Sequence, residues 1–84
     1  MVGRRVIHLL RWFEQDGEAL AGEEPLTRVA PAALRRLFER PAEDLLLGVY
    51  PVGPREAAAL QPEISHRIDR DRFVYYVEPA QLEA

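Results

Sequence analysis

The apolar positions of this chain change period from segment to segment, and each change marks an element. Arg70 to Pro79 holds the densest run, with Phe73, Tyr75 and Val77 on one set of alternate positions and Val74 and Tyr76 on the other. β-Branched and aromatic residues on both sets predict a strand with both faces inside the fold. Arg5 to Phe13 predicts a second strand, since Val6, Ile7, Leu9, Leu10, Trp12 and Phe13 would surround a helix almost completely. The pattern leaves its buried face undetermined. Gln15-Asp16-Gly17 signals a tight turn, with Gly17 free to take a positive φ, and Glu18 to Gly22 then folds back as an antiparallel partner.

Beyond Pro25 the period becomes helical. Pro31 suits a first helical turn, Ala33, Leu34, Leu37 and Phe38 form one stripe, and Arg35, Arg36, Glu39 and Arg40 lie outside it before Pro41. Leu45 to Tyr50 has the length of a third strand. Gly53-Pro54 opens a second helix over Pro54 to Leu60, with Ala57 and Leu60 inward and Gln61-Pro62 as its stop. Ile64, His66 and Ile68 alternate in an extended approach to the last strand, and Asp69 to Asp71 is a polar break. Pro79 closes that strand, leaving 79–84 as a frayed tail. The order β-β-α-β-α-β over residues 1–84 predicts one α+β domain: a small, mostly antiparallel sheet with two helices packed on one face.

At 84 residues, folding buries only roughly 60–65% of the surface the unfolded chain exposes, so a partner would add usefully to stability. With no cysteine, disulfides and thiolate chemistry are excluded, and the cytoplasm is the default location. No apolar run approaches the ~18 residues that span a bilayer, and the segment after Arg4-Arg5 is too short for a signal peptide. All eleven basic residues are arginine and the net charge is −3. That balance opposes sequence-independent nucleic-acid binding, which depends on neutralising phosphates.

Candidate chemistry is sparse. Ser65 and His66 are adjacent on an extended segment and point apart, so they do not form a nucleophile–base pair. His8 and His66 are the only imidazoles, and Asp69-Arg70-Asp71 reads as solvated alternation, which leaves no metal set. No glycine-rich phosphate loop is present. Arg72 to Val77 compares with the aromatic strand of RNA-recognition sheets but lacks the glycines that keep such a surface open. The sequence therefore predicts no catalytic residue and no cofactor.

The uneven feature is charge. Glu14, Asp16, Glu18, Glu23 and Glu24 follow one another without an intervening base. Clustered carboxylates on a hairpin steer and hold basic partners, and Trp12 and Phe13 beside them are candidate apolar anchors. The predicted partner-binding set is Trp12, Glu14, Asp16, Glu18, Glu23 and Glu24.

Trp12-Phe13-Glu14-Gln15-Asp16-Gly17-Glu18, Val49-Tyr50-Pro51-Val52 leading into Glu56-Ala57-Ala58-Ala59-Leu60, and Ile68 to Glu78 together resemble a family of small bacterial proteins. Some members of that family are similar to immunity proteins of polymorphic or contact-dependent toxin systems. The resemblance implies a non-enzymatic protein that covers the active site or substrate groove of a basic toxin domain. The alternative is a small structural or regulatory module that forms a homodimer.

Overall fold

Four antiparallel strands in the order β2-β1-β4-β3 carry the fold, as shown by a computed structural model that describes residues 4–83. β1 (Arg4–Glu14) and β2 (Leu20–Pro25) form the expected hairpin, displaced by two to three residues on the β2 side. The connection is a four-residue loop closed by Glu14 N–H donating to the Ala19 carbonyl at 3.1 Å. Gly17 does not take a positive φ, because a loop of this length does not need the mirror-image turn of a two-residue connection. The register shifts between Trp12 and Phe13, which pair with Gly22 and Leu20.

β4 (Phe73–Glu83) pairs with β1 along its whole length, from Glu14↔Phe73 to Arg4↔Glu83. The expected end at Pro79 and frayed tail are therefore corrected through Glu83; Ala84 lies outside the described residues. Proline is tolerated there for a positional reason. The Tyr75 carbonyl accepts from Val52 N–H at 3.0 Å, so residues 75, 77 and 79 turn their backbone groups away from β1. β3 covers only part of that row, and the missing N–H of Pro79 falls on an open edge.

β3 (Tyr50–Pro51) is all that remains of the expected third strand. Leu45 to Val49 is a loop organised around one buried residue, Leu46. Asp44 Oδ1 accepts from Leu46 N–H at 2.6 Å, His8 Nε2–H donates to the Leu46 carbonyl at 2.9 Å, and Leu46 has φ 56°. A left-handed leucine breaks the pleat. Leu45, Leu47 and Val49 consequently stay exposed, at 73%, 59% and 59%.

The two helices, α1 (Pro31–Leu37) and α2 (Pro54–Leu60), lie over one face. Leu34, Ala57 and Leu60 form a single core with Leu10, Trp12, Tyr75 and Val77, which are alternate residues of β1 and β4, together with Leu26, Leu46 and Val52. α2 has the predicted limits and inward residues. Its first turn is held by Glu56 Oε1, which accepts from Gly53 N–H at 3.0 Å. Residues Gln61–Glu63 continue it as one 3₁₀ turn.

α1 stops short of Pro41. Arg40 N–H donates to the Arg35 carbonyl at 2.7 Å and Glu39 N–H to the Arg36 carbonyl at 3.2 Å, with Glu39 at φ 55°. This is a Schellman ending with glutamate where glycine is favoured. Glu39→Gly is expected to stabilise the domain by about 1 kcal/mol, read as a higher denaturant midpoint at unchanged slope.

Candidate functional site

The face of the sheet opposite the helices carries no helix; Leu9 is buried on it beneath neighbouring strand side chains, and the remaining side chains, half-exposed, follow from register. Phe13 stands opposite Val74 and Arg11 opposite Tyr76, all four on the side away from the core. Phe13 and Tyr76 meet edge to face, with centroids 5.9 Å apart and planes at 72°. Arg11 donates to Glu23 at 2.9 Å and to Glu78 at 3.2 Å, and so bridges β2 and β4 across β1. The hairpin loop curls over one end. Phe13, Val74, Tyr76 and Val49 then floor a groove of about 280 Å³ whose rim carries Glu14, Glu18 and Glu78. A smaller hollow between Val6, Leu47, Pro79 and Ala80 lies on the same strands towards their other end.

The structure divides the predicted partner-binding residues. Glu14 and Glu18 line the groove, and Asp16 is exposed at the hairpin tip. Glu23 stands on the same face in its ion pair with Arg11. Trp12 and Glu24 belong to the other side. Trp12 is 9% exposed, and its indole stacks on the His66 ring at 3.7 Å and 10°. The half-exposed aromatic beside the hairpin is therefore Phe13 and not Trp12, because neighbouring strand residues face opposite ways. Val74, Tyr76 and Val49 also line the groove without a site signal in the sequence, although the alternation in Phe73 to Val77 assigns Val74 and Tyr76 to a second face.

Glu24 holds the chain before β4. Its carboxylate accepts from Ser65 N–H at 2.7 Å and His66 N–H at 2.8 Å, while Gln61 accepts from Ile68 N–H and donates to the His66 carbonyl, both at 2.8 Å. The imidazole thus lies flat on Trp12, with Nε2 2.7 Å from the Tyr75 hydroxyl oxygen. That oxygen also accepts from Asp69 N–H at 2.8 Å. With Asp69 N–H donating to the hydroxyl oxygen, the phenol proton can be directed at His66 Nε2, which pairs with the Nδ1–H tautomer. Ser65 and His66 are not brought together as nucleophile and base: Nε2 is engaged by Tyr75.

Burial holds the His66 pKa below its ordinary 6.5, with the Glu24 charge opposing. The Ser65 N–H bond holds the Glu24 pKa below its ordinary 4.5, with burial opposing and the His66 N–H bond adding to the effect. Both groups bind fewer protons folded than unfolded. The His66 contribution is complete above about pH 6.5 and falls below it. The Glu24 contribution is complete above about pH 4.5 and is lost as pH falls through the folded value. Thermal melts are expected to show stability falling from pH 7 to pH 5.5, and His66→Gln is expected to flatten that slope.

Fold and face together define a small α+β sheet domain with helices on one side and an acidic-rimmed apolar groove on the other. The family model described as a domain of unknown function (DUF7683) matches residues 7–78, and the chain belongs to that family. The chain matches no curated protein. Among the described residues, no helix is long and apolar enough to cross a membrane.

Proposed function

We propose that this chain is a non-enzymatic binding domain that receives a basic, apolar-tipped segment of a partner protein in the groove on its helix-free sheet face. The observation that carries this reading is the joining of the acidic hairpin to an aromatic floor. Glu14, Glu18 and Glu78, the last paired with Arg11, line the groove together with Phe13, Val74, Tyr76 and Val49. Aromatic floors supply binding energy once covered, and a one-sign rim speeds encounter and fixes orientation. In the version implied by the resemblance to immunity proteins, the partner is a basic toxin domain in the cytoplasm, and this face covers its active site or substrate groove.

The second reading is a homodimer, favoured by the exposed Leu47, Val49 and Val6. Pairing through a sheet edge is opposed by three prolines. The Leu26 N–H bond to the His8 carbonyl and the Val52 N–H bond to the Tyr75 carbonyl set the backbone alternation. By that alternation Pro25, Pro51 and Pro79 each turn their nitrogen to an open edge and remove one N–H donor there.

Co-expression with the product of the adjacent gene tests the proposal. A one-to-one complex that dissociates with rising salt and protects the β1 and β4 amides around Phe13 and Tyr76 supports it. A salt-insensitive complex held by the helices, or a concentration-independent homodimer without a second protein, overturns it.

A further inference from the structure

A second hollow lies on the opposite side of the molecule, between the helices. Val29, Ala30, Ala33 and Leu37 line it from the α1 side and Ala59 and Leu60 from α2, and the cleft, open to solvent, measures about 580 Å³. Its origin is visible in the residue types. Three of these residues are alanines, too short to close the gap between two helices, while Leu34, Ala57 and Leu60 reach down to the sheet. A volume of this size falls within the range of small-molecule sites, about 300–1,000 Å³.

The charges at this hollow have the opposite sign to those of the hairpin groove. Arg28, Arg36 and Arg55 line it, against the single carboxylate of Glu63. Arg55 is held in place, donating to the Leu37 carbonyl at 2.6 Å and pairing with Glu56 at 2.9 Å. Arg28 and Arg36 are exposed, and among the described residues neither is paired with a carboxylate. Guanidinium groups at the mouth of an apolar cleft suit a ligand with a planar anionic head and a hydrocarbon body.

We propose that the cleft between α1 and α2 binds a small amphipathic anion, an acyl or aryl carboxylate, with its apolar body against Ala33, Leu37 and Ala59 and its head at Arg28 and Arg36. This site is independent of the hairpin groove. A chain of this class enters lengthwise between the helices, and the arginines keep the head in water while neutralising its charge. Glu63 disfavours the reverse orientation.

The test is a titration of the folded chain with decanoate, followed by amide chemical shifts and calorimetry, with decanol as the neutral control. The expected result is saturable binding of decanoate, with shifts at Ala33, Leu37 and Ala59 and with decanol bound at least tenfold more weakly. Arg28→Gln/Arg36→Gln is expected to remove that preference, and Ala59→Leu, at an exposed position, to block both compounds while the melting curve shows a folded domain. Ala33→Leu is a second blocking variant. Equal binding of decanoate and decanol, unchanged binding in the arginine double variant, or no saturable binding by the folded chain would each overturn the proposal. So would capture of a leucine-containing acidic peptide with no affinity for the free acid.

Discussion

Trp12→Ala is expected to cost about 3–5 kcal/mol, the range for emptying a large aromatic from a core, and so to remove most of the stability of a domain this small. The residue's position explains the size of the effect. Trp12 packs between the His66 ring on one side and the Gly22 backbone on the other, with Tyr75 at 5.9 Å. A Cβ on Gly22 would stand 2.5 Å from the indole Cε2 and Cζ2 and 2.6 Å from Nε1. The indole thus covers a glycine on the neighbouring strand, an arrangement that protects the backbone of a weak strand position. Because His66 blocks its retreat, Gly22→Ala is expected to cost about 1–3 kcal/mol through overpacking. A double-mutant cycle checks the coupling. In the Trp12→Phe background, where the smaller ring leaves room, the cost of Gly22→Ala should fall well below its cost in the native background. Equal costs in both backgrounds would mean that the indole does not set the requirement for glycine.

The second large effect is on binding. Phe13→Ala/Tyr76→Ala is expected to weaken the partner complex at least about 30-fold, since truncating even one central aromatic anchor costs about 2 kcal/mol or more. The fold should survive. Both side chains stand on the helix-free face, and losing one edge-to-face pair costs about 0.5–1.5 kcal/mol beyond its area. Glu14→Gln/Glu18→Gln should act differently, lowering the association rate and its salt dependence more than it raises the dissociation rate. A drop in thermal stability large enough to account for the lost binding would instead place Phe13 and Tyr76 in the structural framework.

The α+β class, the four-strand sheet and the limits of α2 were legible because each rests on a local signal: periodicity, a proline at a helix start, a run of apolar residues. Leu45 to Tyr50 misled for a non-local reason. Its composition suits a strand, but Asp44 and His8, the latter 38 positions away, capture the N–H and carbonyl of Leu46 and turn the backbone left-handed. Pro79 misled because whether a proline ends a strand depends on which edge its nitrogen faces, and that needs the strand order. At the site, the acidic hairpin could be read directly from Glu14 to Glu24, whereas its apolar anchor could not. Choosing between Trp12 and Phe13 required knowing which face of β1 the helices cover. The stack of His66 on Trp12 joins positions far apart in sequence, and no spacing rule connects them.

The same covering of one face gives β4 two roles. Phe73, Tyr75 and Val77 belong to the core or pack against it, as their composition implies. Val74 and Tyr76, equally apolar in sequence, remain on the open side with Phe13. A strand apolar on both faces but covered on one leaves surface for a partner.

Amide hydrogen exchange on the chain alone and in complex with the adjacent gene's product decides whether that open face is the binding surface. Slowed exchange is expected in the hairpin loop 15–18 and in β1 and β4 around Phe13, Val74 and Tyr76, with α1 and α2 unchanged. Protection confined to α1 and α2, with the hairpin exchanging as in the free chain, would contradict it.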